Sequence, residues 1–133
     1  MVKKVRKLKT LKREADEVHS KCVRLEETKD GYGICVSCGR LVPYDQLDCG
    51  HFMSRSHMST RYEFKNTHIQ CISCNRFHEG VKEVYALWLI EKYGPGIIEE
   101  LTAMAQEIKQ WQPYQLEELI TDRKNKIKEL EKS

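Results

Sequence analysis

Two residue sets in this chain have the types and spacing that could do chemistry. The first is Cys35-x-x-Cys38 together with Cys71-x-x-Cys74. Two residues between cysteines let both sulfurs of a pair face one ion from a single turn, and four thiolates complete a tetrahedral structural zinc shell. The second is His51, Asn66, His68, Asn75 and His78, which lie between and just after those pairs. With the zinc shell filled by thiolates, Cys49 and His51 of the stretch "DCGHF" are not needed as zinc ligands. A strand carrying His51 against a helix start carrying Asn75 and His78 can hold a hard divalent ion beside a base. Phosphodiester hydrolysis uses those parts: a neutral imidazole takes a proton from water, and a metal stabilises the charge on phosphate and leaving oxygen.

The elements that must position these residues can be read from periodicity. Val5, Leu8, Leu11, Ala15, Val18, Cys22 and Leu25 recur at steps of three or four, which predicts a helix with an apolar stripe, ended by Lys29-Asp30-Gly31. Cys22 lies in that stripe, as a small buried group. "ICVSCGRLV" reads as a strand, a tight turn around the cysteines and a return strand, with Gly39 easing the curl. "QLDCGHF" reads as another strand, and residues 53–70 as a polar loop. "CISCNRFHEG" reads as a turn running into a helix, broken at Gly80. "VKEVYALWLIEKYG" and "IIEELTAMAQEIKQW" read as helices stopped at Gly94-Pro95-Gly96 and at Pro113. "QLEELITDRKNKIKEL" is a last helix, with Leu116, Leu119, Ile120, Arg123, Ile127 and Leu130 on one side.

A cysteine knuckle first and a helix start last is the layout of a treble clef. The expected fold is therefore α+β and mostly helical. A zinc-stabilised treble-clef or ββα-metal core is flanked by a long N-terminal helix and two or three C-terminal helices. Three regions follow: a basic helix over 1–30, a zinc-bound core over 31–80 and C-terminal helices over 81–133. The 133 residues suit one domain. With 32% charged residues and a mean hydropathy of −0.64, the composition is that of a soluble chain. No apolar run reaches membrane-spanning length, and no signal-peptide core follows the basic start, so the cytoplasm is expected.

Net charge is only +3, but its distribution is uneven. Lys3, Lys4, Arg6, Lys7, Lys9, Lys12 and Arg13 occupy the first 13 residues without an acid among them. Such an end suits nucleic-acid phosphates; it also suits a solvated terminus. Arg55, Arg61 and Arg76 surround the second residue set and have two readings, phosphate binding or balancing the tetrathiolate charge.

The order Gly-His-aromatic, then Asn-x-x-x-x-Cys-x-x-Cys-Asn, resembles the HNH (ββα-metal) nucleases. "CVSCGR", "CGHFMSRS", "TRYEFKNTHIQCISCNRF", "LIEKYGPG" and "LKREADEVHSKCVRL" are similar to the NinG (Rap) recombination proteins of bacteriophages. The Cys-x-x-Cys-Asn ending also resembles the recombination endonuclease VII of T-even phages. The resemblance implies an endonuclease that cuts branched recombination intermediates, such as Holliday junctions and D-loops, in the cytoplasm of a bacterial host. It implies His51 as general base, Asn66 as the residue orienting the site, and Asn75 as a ligand of catalytic Mg²⁺ or Mn²⁺. The partners would be branched DNA and phage recombination proteins. Two cuts per junction would suit a homodimer, formed through the Leu8–Leu25 seam or the C-terminal helices, although the same helices could pack on each other within one chain. One departure stands out. Gly50 occupies the position before the base where an acid or His often stands. Asp48 would reach the ion if the strand bulges; otherwise His68, His78, Glu79 or water completes the shell. A zinc-stabilised DNA-binding module without catalysis is the alternative.

Overall fold

The computed structural model describes residues 6–77 and 81–132. Lys3, Lys4 and His78 lie outside the described residues. Helix α1 spans Leu8–Glu26 and buries Leu11, Ala15 and Cys22 as the stripe requires. His19 and Val23 are buried with them, whereas Val18 is half-buried. Helix α4, Pro113–Glu131, packs along α1 through Leu116, Ile120, Arg123 and Ile127. The two run in the same direction: Leu11 packs with Leu116 and Ile120 near one end, and Lys21 pairs with Glu131 at the other. The apolar seam of α1 is therefore covered by α4 of the same chain, and a dimer would have to use another surface.

Between these helices the chain builds two small antiparallel sheets. Strands β1 (Thr28–Lys29), β2 (Tyr32–Ile34) and β3 (Leu41–Pro43) form one. Lys29 pairs with Tyr32 across Asp30 and Gly31, both at positive φ. A two-residue Asp-Gly loop of that kind matches the twist of its flanking strands. "KDGYG", expected to end the helix, instead makes this hairpin; the helix ends at Glu26 with Glu27 as its cap. Strands β4 (Leu47–His51) and β5 (Thr67–Cys71) form the second sheet, in unbroken register from Leu47 opposite Cys71 to His51 opposite Thr67.

Strand β5 corrects the expected loop over 53–70. Its five residues are all buried, although three of them are polar: Thr67, His68 and Gln70. The alternation that marks a half-buried strand is absent because both faces are covered, and each polar group has its own partner. The loop proper is residues 52–63, followed by a single 3-10 turn, Phe64–Asn66.

After β5 the chain enters a short π-helical turn, Ser73–Phe77. Helix α2, Lys82–Tyr93, follows and buries Tyr85 and Leu89 against Phe52, Ile97 and Leu101. Helix α3, Ile97–Ala105, is shorter than expected. Residues 106–112 are irregular and bring Trp111 against Tyr62, with its Nε1 donating to the Met58 carbonyl at 3.0 Å. Pro113 opens α4 as well as stopping the previous segment. Its missing N–H costs nothing at a helix start, and Gln112 and Gln115 form a reciprocal cap around it.

Candidate functional site

The four cysteines converge. Cys35, Cys38, Cys71 and Cys74 place their sulfurs within 4.8 Å of one another, so the group could hold a zinc ion. Cys38 and Cys71 stand 3.8 Å apart, close to the sulfur separation that a tetrahedron with Zn–S near ~2.3 Å requires. Each pair shapes its own turn. The Cys38 amide faces the Cys35 sulfur at 3.5 Å, and the Cys74 amide faces the Cys71 sulfur at 3.4 Å. Gly39, at φ +75°, donates its amide to the Cys35 carbonyl at 2.9 Å, a backbone position that favours glycine. Burial, then the neighbouring sulfur of Cys71, pushes the Cys74 thiol up. A bound divalent cation would relieve that penalty by favouring the thiolate.

One cleft of about 570 Å³ lies beside this cluster, lined by β4, α1, the 52–63 loop and the π-helical turn. It collects Asp48, His51 and Asn75, which are among the expected site residues, and Arg55, Arg61 and Arg76. Asn75 Nδ2 donates to Asp48 Oδ2 at 3.0 Å, although β4 does not bulge. Arg76 holds both oxygens of the same carboxylate, at 2.9 Å each.

The far wall is α1, which supplies Asp16, Glu17, His19 and Ser20. The Asp16 carboxylate accepts from Arg61 Nε at 2.8 Å and Nη2 at 2.5 Å, and from Arg55 at 3.0 Å. Burial alone would raise this carboxyl, but the two guanidinium groups overcome it and hold it below its ordinary value. Arg55, Arg61 and Arg76 are therefore paired with Asp16 and Asp48, whereas Arg24, also in the lining, donates to Ser20. Neither reading given to the first three from sequence anticipated those partners.

His51 faces the Arg61 carbonyl, Nε2 to oxygen at 2.9 Å. A carbonyl only accepts, so in the neutral ring Nε2 carries the proton and Nδ1 keeps the lone pair. Burial lowers the His51 imidazole below its ordinary value, assisted by the Arg55 and Arg61 cations and opposed by the carbonyl bond.

Asn66 does not line the cleft. It is fully buried and clamps the loop: Nδ2 donates to the carbonyls of Met53 (3.0 Å) and Thr60 (3.1 Å), and Oδ1 accepts the Met53 amide at 2.7 Å. His68 is also elsewhere. It is buried beside Trp88, with Nδ1 on Glu27 at 2.5 Å and Nε2 on the Tyr93 hydroxyl at 3.2 Å. Both its ring nitrogens are engaged outside the cleft, which corrects its expected place in the catalytic-metal shell. Among the basic residues of the N-terminal segment, Lys7, Lys9 and Arg13 are exposed, Lys12 is half-buried, and Arg6 pairs with Glu14.

Sequence reasoning missed Asp16 and His19, and treated Arg123 only as part of a helical seam. The available signal was a polar or charged residue standing on or beside an apolar stripe. Arg123 on α4 and His19 on α1 meet at 2.9 Å, Nε to Nδ1, in the buried interface between their helices.

Fold and site define a mixed α+β protein in which a four-cysteine cluster able to bind zinc adjoins a polar, arginine-lined cleft. Residues 1–133 match the family model described as Bacteriophage Lambda NinG protein, and the chain belongs to that family. It is 28% identical over 100 residues to "Protein ninG" of Salmonella phage P22, covering 74% of this chain and 48% of that protein. The corresponding protein of Escherichia phage lambda is 27% identical over 100 residues with the same coverage. That of Escherichia phage 933W is 32% identical over 68 residues, covering 50% of this chain and 33% of that protein. The matches span about half the length of these curated relatives, or less. No solved structure gives a significant match. None of the described helices is long and apolar enough to cross a membrane.

Proposed function

We propose that this chain is a structure-specific DNA endonuclease of HNH type, acting on branched recombination intermediates, with zinc in the cysteine cluster holding a treble-clef core. One observation carries the reading. The β4–β5 hairpin and the turn that follows it bring His51, Asp48 and Asn75 into a single cleft, with Nδ1 of His51 left as a base. Asp48 and Asn75 supply a carboxylate and an amide, a donor set suited to a hard ion such as Mg²⁺ or Mn²⁺. Such an ion would stabilise charge on the scissile phosphate and on the leaving oxygen.

The protein's own groups do the rest. His51 Nδ1 takes a proton from the attacking water, and the Arg61 carbonyl stabilises the imidazolium that forms. Arg55, Arg61 and Arg76 meet the DNA backbone when phosphates replace Asp16 and Asp48 as their partners. Lys7 and Lys9 sit in the first turn of α1, where the helix dipole disfavours cations, and Lys12 and Arg13 follow one turn on. Helix stability does not explain them there; a DNA arm does. The cytoplasm of a bacterial host, phage recombination proteins as partners and a homodimer away from the α1 seam complete the proposal.

The test is a four-way junction with Mg²⁺. His51→Ala is expected to bind it while losing cleavage by about 10²- to 10⁴-fold. Equal cleavage by both proteins removes the catalytic assignment. The second reading, a zinc-stabilised DNA-binding module, is favoured by the Arg76 fork that fills Asp48. It predicts junction binding without cleavage in Mg²⁺, Mn²⁺, Co²⁺ or Ni²⁺.

A further inference from the structure

Four successive carbonyls, residues 60–63, each accept a side-chain donor. Asn66 Nδ2 reaches Thr60 O at 3.1 Å, and His51 Nε2 reaches Arg61 O at 2.9 Å. Arg123 Nη2 reaches Tyr62 O at 2.8 Å, and Thr67 Oγ1 reaches Glu63 O at 3.0 Å. His51 and Arg123 therefore hold adjacent carbonyls, one from just before the turn in sequence and the other from α4, far after it.

Each of the three Arg123 guanidinium nitrogens has an acceptor. Besides Tyr62 O, the group donates to His19 Nδ1 and to Asp122, and it stacks 4.2 Å from the Phe64 ring centre. Because His19 Nδ1 accepts, its Nε2 carries the proton and donates to Thr67 Oγ1 at 3.0 Å. Thr67 in turn donates to Glu63 O. One side chain thus fixes the turn twice: directly at Tyr62, and through His19 and Thr67 at Glu63. The Arg61 and Tyr62 carbonyls lie on successive rigid peptide planes joined only through φ and ψ of Tyr62, so holding Tyr62 O and Glu63 O narrows the range over which the Arg61 carbonyl can turn from His51. In the DNA-free chain the Asp16 pair also holds the Arg61 side chain on the other flank.

The α1–α4 seam does not itself require a cation. A buried charge is costly, and an apolar residue of similar volume generally serves helix packing as well. A rigid fork delivering several donors at fixed angles is what an apolar residue cannot replace. We propose that Arg123 is a positioning residue for His51: it holds the 60–63 turn so that the Arg61 carbonyl keeps the ring in its Nε2–H form, with Nδ1 presented to the cleft. This gives α4, remote in sequence from the cleft residues, a part in the site. The inference rests on the proposed role of His51 as base.

The experiment uses the full chain purified with zinc, without DNA or catalytic metal. Long-range nitrogen–proton NMR at neutral pH reads the tautomer of each histidine. Wild type is expected to show His51 as Nε2–H. In Arg123→Met, which fills the seam but donates nothing, the Nδ1–H form is expected beside it. Arg123→Lys, with one donor head, is expected to fall between the two. In the cleavage assay Arg123→Met is expected to lose on the order of 100-fold in kcat with little change in KM. An unchanged His51 tautomer in Arg123→Met, with zinc content and near-ultraviolet dichroism retained, overturns the inference. If that variant does not fold, an unchanged tautomer in Arg123→Lys does so. A shifted tautomer in a chain that never cuts DNA would defeat the nuclease reading while leaving the Arg123–His51 coupling in place.

Discussion

A Cβ built on Gly50 would stand 1.8 Å from Oε1 of Gln70. The Gln70 side chain lies across Gly50, fully buried, with Nε2 donating to the Ser37 hydroxyl at 2.8 Å. The Tyr85 hydroxyl holds the Gly50 carbonyl at 2.8 Å. Any side chain before His51 would therefore have to displace the buried Gln70 side chain. The carboxylate that meets Asn75 is Asp48.

Gly50→Ala is expected to destabilise the chain by about 1–3 kcal/mol, the usual range for overfilling a packed site. The sign is informative, since alanine in a strand would otherwise be favoured over glycine. Urea denaturation measures it. Paired with Gln70→Ala, the substitution should cost clearly less than the sum of the two single changes, because the atoms in conflict are gone. Strict additivity would show that the clash is not the cause.

Zinc removal is expected to unfold the β2–β3 knuckle and the junction between β5 and the π-helical turn together, because the cluster takes two cysteines from each region. A structural zinc of this kind contributes on the order of 10 kcal/mol, comparable with the whole net stability of a chain of this size. Elemental analysis should find one zinc per chain. Cys71→Ser should lose the metal and the cooperative thermal transition, and a chelator should do the same to wild type. Retention of both without metal would refute the site.

The pH dependence of stability should carry the mark of His19. Burial, with the Arg123 cation beside it, lowers its pKa from 6.5 to about 3. Between those values the unfolded chain binds a proton that the folded chain excludes. Stability therefore falls as pH drops below 6.5, by up to about 1.4 kcal/mol per pH unit. His51, lowered in the same direction, adds to the slope just below 6.5. Denaturant titrations between pH 7 and 5 with zinc in excess should show a shallower slope for His19→Gln than for wild type. Equal slopes would mean that His19 is not held neutral.

The elements legible in the sequence were those with a local cause. Helices α1, α2 and α4 follow from apolar residues three and four apart, and the knuckle follows from Cys35, Cys38 and the glycine after them. Strand β5 was not legible, since "THIQC" alternates nothing: its polar residues are satisfied by His19, Glu27, Tyr93 and Ser37, all remote in sequence. The end of α3 was placed too late because 106–111 continues an apolar spacing, yet Trp111 turns away to pack on Tyr62.

The sequence by itself determined the two Cys-x-x-Cys pairs and the helices whose periodicity is internal. Those properties depend on residues a few positions apart, where bond geometry leaves little choice. Only the tertiary structure decided which charges meet. It brought Asp16 of α1 to Arg55 and Arg61, Asp48 to Asn75 and Arg76, and Arg123 of α4 to His19 and to the turn that holds His51. Ion pairs and buried hydrogen bonds act over a few ångströms of space whatever the separation along the chain, so their partners appear only once the chain's path is known.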